Sequence, residues 1–337
     1  MHPLKVGKLP SALLGDLIQS ITCNDKRVII GPKIGEDATV IDFGDKYLIV
    51  KTDPVTFATQ EIGWHTVQVN ANDIATMGGV PKWFLVSILL PEGKTDEGMV
   101  RKIFSDINRA AEELSITLCG GHTEITYGLS RPIVTGQMLG EVDKNKLVNN
   151  ANAKLGDEIL LTKSIALEGM AVLAREKESE LLRRYDSAFI KKVQNFLYDP
   201  GISIVKEALI ANQTARVSAM HDPTEGGLST GLWELAKVAN TGVTVYAERI
   251  PCLWEARTLC ADFKLDPMGV VASGALLIVV DPSMSESVKR DIENGGIDCS
   301  VIGKLTKIDE GLKIVKNGKK QDLPLFEVDE IASIFCL

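Results

Sequence analysis

The stretch that decides the fold is VNANDIATMGG, residues 69–79. Its apolar residues Ala71, Ile74 and Ala75 recur at helical spacing with Val67 just before the stretch, and they predict one buried helix face. Asn70 and Asp73 are three positions apart and therefore share a different face of the same helix. Gly78 is placed to end the helix, because glycine readily takes the left-handed conformation at that position.

This helix carries an unusual density of polar groups for a segment with such apolar neighbours. Asn70, Asn72 and Asp73 put three amide or carboxylate groups into four residues. A buried polar group needs a partner, and a bound cation with phosphate would supply one. A helix with a solvent-facing polar side is the alternative interpretation.

Strand-like and helical patterns surround this segment in the first half of the chain. Runs rich in Val, Ile, Leu and aromatics predict three strands: 47–51, 83–90 and 133–139. An apolar stripe from Val100 to Leu114 predicts a helix, with Thr95 and Asp96 as candidate caps. The polar segment 144–154 reads as a connector.

The second half continues with mixed elements. Strands are predicted at 158–162 and 270–280, and helices around 166–176, 187–197 and 201–211. Strands and helices alternate without a strict βαβ order, which favours an α+β fold over a doubly wound sheet. A phosphate-binding G-x-x-x-x-G-K-[ST] loop is missing, as is a G-x-G-x-x-G that opens a helix, so a nucleotide would need another binding device.

Two acidic motifs precede the helix. Gly35-Glu36-Asp37-Ala38 offers carboxylates in a turn, and magnesium prefers such oxygen ligands. Lys51-Thr52-Asp53-Pro54 follows a predicted strand, so Asp53 is expected at a strand end. A solvated acidic turn is the alternative for the first motif, and a plain strand-ending turn for the second.

A glycine pair marks the segment Cys119–Glu124, CGGHTE. Gly120 and Gly121 would let the backbone approach a ligand closely. His122 and Glu124 alternate along an extended segment and therefore share a side. A structural histidine is the alternative interpretation.

The segment HDPTEGGL, residues 221–228, leads into a helical pattern at 232–238. A glycine-rich turn at a helix N-terminus presents unpaired N–H groups and predicts an anion site. A capped loop that binds no ligand is the alternative.

Bulk composition excludes several classes of protein. The 337 residues carry a net charge of −8, which argues against a nucleic-acid binder. The sequence has no apolar run long enough for a membrane helix and no recognisable signal peptide. The six cysteines form no CxxC pair, so a reduced, cytoplasmic compartment is expected.

Taken in order, these motifs resemble those of the AIR synthase (PurM-like) superfamily: GEDA, TDP, NANDIA-x-MG-x-x-P, GGHTE and HDPT-x-GGL. The resemblance spans about residues 30 to 305 and is greatest with the hydrogenase maturation factor HypE and HypE-like proteins. It implies an N-terminal α/β domain at 1–150, which pairs with a second copy into a β-barrel-like homodimer core. A C-terminal α+β domain at 151–337 is implied to follow.

The resemblance also implies ATP and Mg²⁺ as cofactors and assigns site residues. Asp37, Asp53 and Asp73 are the expected magnesium ligands. The expected catalytic residues are Asp53, Asp73, His122 and Glu124, where His122 replaces a metal-binding acid of several relatives and Glu124 is its candidate substitute. The expected nucleotide-binding and phosphate-binding residues are Lys51, Thr52, Asn70, Asn72, Gly120, Gly121, Asp222, Thr224, Gly226 and Gly227.

The function implied is ATP-dependent activation of an amide or thiocarbamate oxygen, on a small or protein-thiol-bound substrate, with a possible hydrogenase maturation partner. A small-metabolite kinase of the thiamine-monophosphate kinase type and a non-catalytic nucleotide-binding relative are the alternatives. HypE carries its substrate on a C-terminal cysteine. Cys336 is penultimate in an apolar tail without a nearby basic residue, so we expect it not to be the acceptor thiol.

Overall fold

The computed structural model describes residues 9, 11–56, 60–326 and 328–335. Its helices are α1 (Ser11–Gln19), α2 (Ile62–Thr76), α3 (Glu97–Glu113), α4 (Leu167–Glu176), α5 (Glu178–Leu181), α6 (Ser187–Gln194), α7 (Val205–Thr214), α8 (Gly227–Ala239), α9 (Trp254–Phe263), α10 (Pro282–Asn294) and α11 (Ala332–Phe335). Its strands are β1 (Val28–Ile30), β2 (Thr39–Asp42), β3 (Lys46–Val55), β4 (Val80–Pro91), β5 (Thr117–Thr126), β6 (Ile133–Asp143), β7 (Glu158–Thr162), β8 (Ala219–His221), β9 (Gly242–Tyr246), β10 (Leu277–Val280), β11 (Cys299–Thr306), β12 (Leu312–Lys316) and β13 (Lys319–Asp322).

The chain divides into two compact units. The first unit contains the described residues within 24–31 and 37–147, and the second contains the other described residues. The described residues before Asn24 and those from 32 to 36 thus group with the C-terminal part of the chain, which the sequence did not indicate. The functional domains 1–150 and 151–337 stay a prediction.

The first unit is a six-stranded sheet in the order β1-β2-β3-β6-β4-β5. β3 and β6 pair antiparallel along their whole lengths, from Lys46 opposite Asp143 to Val55 opposite Val134. β4 and β5 pair parallel and are joined through α3, as a parallel pair requires a crossover connection. Helix α2 packs on β3, β4 and β6, and α3 packs on α2 and β5.

Two glycines of β6 let α2 lie close to the sheet. A Cβ atom on Gly136 would come within 2.4 Å of Asn70 Nδ2, and one on Gly140 within 2.3 Å of Ile74 Cγ2 and 2.7 Å of the Val80 carbonyl oxygen. Ile74 is completely buried at this contact. The distance between helix and sheet therefore depends on the absence of side chains at both positions.

The second unit is built on a seven-stranded sheet in the order β13-β12-β9-β11-β7-β10-β8. Its neighbours pair antiparallel except β12 and β9, which are parallel. A buried apolar core joins β7, β9, β10 and β11 to α8. The buried side of α8 contributes Leu228, Leu232, Leu235 and Ala236.

Most predicted elements are confirmed, and the α+β class is confirmed with them. The predicted strand 47–51 is too short, because β3 continues through Asp53 and Pro54 to Val55. Among the described residues, β2 pairs only as far as Val50, so Pro54 lies on a free edge where its missing donor is tolerated. The alternative interpretation of Asp53, as part of a plain strand-ending turn, is therefore wrong.

Two further expectations need correction. The predicted strand 270–280 is reduced to Leu277–Val280, because a turn closed by Ala275 N–H to the Ala272 carbonyl interrupts it. The solvent-facing side proposed as the alternative for α2 is wrong, since Asn70, Asn72 and Asp73 are all buried. No helix in the described part of the chain is long and apolar enough to cross a membrane.

We expect Gly140→Ala to lower the free energy of unfolding by about 1–3 kcal/mol, because the new methyl group meets backbone and a buried Ile74. Gly98→Ala in α3 is the matched control, since only the Asp96 carboxylate lies near its Cβ position, at 3.3 Å. Alanine favours helix, so this control should be neutral or slightly stabilising. Urea denaturation measures both, and equal effects would contradict the close approach of α2.

Candidate active site

A lysine surrounded by aspartates lies where α2 crosses β3. Lys51 Nζ is 3.0 Å from Asp73 Oδ2 and 4.0 Å from Asp53 Oδ2. Asp37, just before β2 in the same unit, acts electrostatically on both Lys51 and Asp73. The structure thus brings the three predicted magnesium ligands together around one ammonium group.

The local fold explains this convergence. Lys51 and Asp53 are two positions apart on β3, so both point to the face that α2 covers. Asn70 of α2 fastens the helix to the strand, because its Nδ2 donates to the Asp53 carbonyl at 3.2 Å and to the Thr66 carbonyl at 2.8 Å. Asn70 has room to do this because Gly136 lacks a side chain.

Burial and like charges set the protonation of the cluster. Burial raises the pKa of Asp73 to about 7; Lys51 acts against this rise, whereas Asp53 and Asp37 add to it. Burial alone would lower the pKa of Lys51, but Asp73, Asp53 and Asp37 outweigh it and hold that pKa well above the usual value. Lys51 is therefore a permanent cation.

The donor set fits a divalent cation that prefers oxygen. Three carboxylates face a single ammonium group, so the fully ionised cluster has an excess of negative charge. Asn70 Oδ1 is also buried without a hydrogen-bond partner among the described residues. Magnesium typically takes one or two carboxylates together with water and phosphate oxygens. This cluster can supply the carboxylate ligands.

The other predicted residues of α2 and β3 have different surroundings. Asn72 is completely buried. Thr52 is adjacent to Lys51 on β3 and therefore points to the opposite face of the sheet. Its hydroxyl donates to the Gly136 carbonyl at 2.9 Å. Thr52 therefore helps to join β3 to β6, and its predicted role in nucleotide binding stays a prediction.

The glycine pair lies in β5, at an irregularity of the β4–β5 ladder. Phe84 pairs with Leu118 and Leu85 with Gly120, so Cys119 is skipped. A Cβ on Gly121 would come within 1.9 Å of the Val86 carbonyl oxygen, so strand pairing alone requires glycine there. Gly120 is exposed and has open space at its Cβ position, which leaves it the freer of the two to meet a ligand.

His122 and Glu124 share a side of β5, as predicted. Their side chains are exposed, with His122 Nε2 3.0 Å from Glu124 Oε2. Hydrogen bonds from His122 and Thr126 lower the pKa of Glu124. The contacts described for this pair do not include the Lys51 cluster, and the catalytic role of both residues stays a prediction.

The segment 221–227 lies in the second unit, between β8 and α8. Asp222 is buried, and the Gly227 N–H donates to the Thr224 carbonyl at 3.0 Å to form a turn. The expectation of unpaired N–H groups is therefore wrong for Gly227, and it is also wrong for Gly226, whose N–H donates to Asp329 Oδ2 at 2.8 Å. The predicted phosphate-binding roles of Asp222, Thr224, Gly226 and Gly227 stay predictions.

Sequence analysis did not identify two residues that contact this segment, Glu234 and Asp329. His221 Nε2 lies 2.9 Å from Glu234 Oε2, which is on α8. Asp329 lies more than a hundred positions beyond Gly226. Glu234 is two turns into a helix that begins at Gly227 and could have been placed near the segment, whereas no local pattern points to Asp329.

Family models match most of the chain. Residues 35–142 match the N-terminal domain of AIR synthase related protein, and residues 154–315 match the C-terminal domain. The chain belongs to the AIR synthase related proteins. The resemblance read from the motifs is thereby confirmed.

Three relatives of known name are similar over nearly the whole chain or most of it. A Methanocaldococcus jannaschii protein provisionally named a hydrogenase expression/formation protein is 28% identical and covers 91% of each chain. A thiamine-monophosphate kinase of Pyrococcus horikoshii is 28% identical and covers 87% of this chain and 89% of its own. The carbamoyl dehydratase HypE of Rhizobium leguminosarum is 24% identical over 80% and 77%. The prediction of an AIR synthase-related enzyme is confirmed.

Solved structures share the fold. HypE in complex with ATP has a TM-score of 0.73 at 20% identity and covers 89% of this chain and 92% of its own. A chain of a HypE–HypF complex has a TM-score of 0.73 at 21% identity, and the match covers 87% of this chain and 94% of that chain. ThiL complexed with AMPPCP and TMP has a TM-score of 0.74 at 20% identity, over 96% and 99%. The two-domain PurM-like fold is confirmed.

Proposed function

We propose that the protein is an ATP-dependent enzyme that activates an amide or thiocarbamate oxygen by phosphoryl transfer, as in hydrogenase maturation. The observation that carries this proposal is the placement of Lys51 among Asp37, Asp53 and Asp73 in the first unit. The relatives named for hydrogenase formation and carbamoyl dehydration, and the HypE structure with ATP, support this assignment.

The three aspartates would hold Mg²⁺, and the ion would neutralise charge on the phosphoryl group during transfer. Lys51 is fixed by the same carboxylates and would pair with phosphate oxygens as a point charge. The Asp53 side chain is 41% exposed, whereas the Asp73 side chain is 7% exposed. Asp53 is therefore more accessible than Asp73 to an incoming metal–nucleotide complex.

In the proposed reaction, the carbonyl oxygen of the substrate takes the γ-phosphoryl group of ATP and ADP leaves. The C–O bond then breaks to release phosphate, while the amide nitrogen forms the multiple bond to carbon and its protons pass to solvent. Little covalent chemistry is required of the protein, because positioning and charge compensation dominate such transfers. His122, Glu124, Gly120 and the segment 222–227 complete the proposed set of functional residues. A hydrogenase maturation partner is part of the proposal, as HypE was crystallised with HypF.

A small-metabolite kinase is the second candidate. The Pyrococcus horikoshii thiamine-monophosphate kinase matches this chain at the same identity as the hydrogenase-related protein. The charge-compensating cluster around Lys51 serves either reaction. The products separate them: a kinase accumulates a phosphorylated metabolite, whereas the proposed reaction releases phosphate from the activated oxygen. A non-catalytic relative would bind ATP and give neither product.

We also propose a homodimer formed through the first unit. Its described helices cover one face of the sheet, and the other face carries part-exposed apolar side chains such as Leu85, Leu89 and Leu139, together with the exposed Trp83. A second copy would cover this face. Such burial stabilises by about 25 cal/mol per Å² of apolar surface.

Asp53→Asn should weaken binding of Mg-ATP by about tenfold or more, because it removes a charged ligand without changing size. Its melting temperature should change little, since the side chain is part-exposed. Asp143→Asn, at the exposed end of β6, is the matched control. Calorimetry that finds unchanged Mg-ATP affinity in the Asp37, Asp53 and Asp73 variants to Asn would exclude the cluster as the metal site.

Light scattering should show a dimer at micromolar concentration, and Leu139→Lys should shift it towards monomer. Leu139 lies between β3 and β4 on the uncovered face, paired with Val50 and Trp83. Phe43→Lys is the control, because Phe43 is 70% exposed at the turn before β3. A monomeric wild-type protein would contradict the proposed dimer.

Incubation with ATP and a carbamoyl-donating partner should release phosphate, and mass spectrometry should find no carboxamide or cyano adduct on the C-terminal peptide. Cys336 lies outside the described residues, and its exclusion as acceptor rests on the sequence. Cys336→Ala should therefore keep nucleotide binding and phosphate release. A cyano adduct on Cys336 would overturn that exclusion, and a stable phosphorylated metabolite in place of free phosphate would favour the kinase.

A further inference from the structure

The C-terminal segment of the chain reaches back to the start of α8. Asp329 accepts hydrogen bonds from the Gly226 N–H at 2.8 Å and from the Ile331 N–H at 3.0 Å. The backbone of Val271 adds a third hydrogen bond to the same carboxylate. One side chain thus connects three separate parts of the second unit.

Neighbouring contacts hold this segment in place independently of Asp329. The Phe326 ring lies against Gly269, where a Cβ atom would come within 2.6 Å of the ring. Glu330 is anchored twice, since its N–H donates to the Gly269 carbonyl at 3.1 Å and its Oε2 accepts from the Asp266 N–H at 2.9 Å. Ile331 and Ala332 are buried.

Gly226 is the residue on which Asp329 acts. It precedes α8 with a φ of 77°, and a Cβ there would lie 2.3 Å from Thr230 Oγ1, so this turn requires glycine. Glycine brings conformational freedom that must be restrained if the turn is to keep one geometry. Three hydrogen bonds among the described residues restrain the turn. The Gly227 N–H donates to the Thr224 carbonyl and the Thr230 N–H donates to the Gly226 carbonyl within the turn, and the Gly226 N–H donates to Asp329 outside it.

We infer that Asp329 is a positioning residue that fixes the Gly226–Gly227 turn so that the segment 222–227 can receive an anionic phosphate group. This inference deepens the proposed function, on which its ligand rests. Asp329 does not touch the ligand in this assignment. It acts by orienting the backbone of the turn from a position 103 residues further along the chain.

Burial and hydrogen bonding act in opposite directions on the Asp329 carboxyl group. Burial raises its pKa to about 6 against the effect of its three backbone hydrogen bonds, and Glu225 adds to the rise. A carboxyl group with a raised pKa binds its proton more tightly in the folded state, so its ionisation at neutral pH costs folding free energy.

The test compares Asp329→Asn, Asp329→Glu and Glu330→Gln with the wild type. Calorimetry measures binding of Mg-AMPPCP and, separately, of adenosine, which has no phosphate. Asp329→Asn should weaken Mg-AMPPCP binding by about tenfold, in keeping with the loss of a hydrogen bond to a charged group, and leave adenosine binding unchanged. Asp329→Glu retains the charge and should show an intermediate loss.

Glu330→Gln is the matched control, because Glu330 anchors the same segment at Asp266 and does not touch the Gly226 turn. It should bind both probes as the wild type does. Equal Mg-AMPPCP affinity of the wild type and both Asp329 variants would overturn the inference. The same loss in Glu330→Gln, or an equal loss of adenosine binding in Asp329→Asn, would overturn it too.

Amide hydrogen exchange separates this inference from the proposed function, because it needs no ligand. The peptide that contains Gly226 should exchange about tenfold faster in Asp329→Asn than in wild type and Glu330→Gln, as its N–H loses a charged acceptor. If the wild type binds no nucleotide, the proposed function fails. Hydrogen exchange then tests by itself whether Asp329 restrains the turn at Gly226. Unchanged exchange at this turn would exclude Asp329 as its restraint.

Discussion

The excess of carboxylate around one ammonium group is the constraint on which the candidate site depends. Asp73 is buried against Lys51, with Asp53 and Asp37 close enough to raise its pKa. A buried ion pair gains little stability after desolvation, and additional like charges reduce that gain further. The proposed magnesium ion would offset this repulsion among the carboxylates.

The sheet makes this arrangement possible through residues that carry no charge. Gly136 and Gly140 remove side chains from β6, which allows α2 to lie against the strand. Asn70 then bonds to the β3 backbone, and Asp73 reaches Lys51. A Cβ atom at either position would approach α2 too closely, so the helix or its side chains would have to shift.

Much of this could be predicted from sequence because its signals are local. The helix through Asn70 and Asp73, the strand before Asp53 and the family motifs each lie within a dozen residues. The link from Asp329 to Gly226 joins distant positions with no shared pattern, so only the fold reveals it. The extension of β3 through Pro54 to Val55 likewise depends on the fold. Proline is tolerated there because, among the described residues, β2 pairs with β3 only as far as Val50.

The docking of the C-terminal segment also determines when the turn before α8 can be completed. Asp329 and the Gly226 N–H that donates to it are 103 positions apart. A chain that ended before Asp329 would keep every residue of the segment 222–227 and lose this hydrogen bond. The turn can therefore reach its final geometry only after synthesis has passed Asp329.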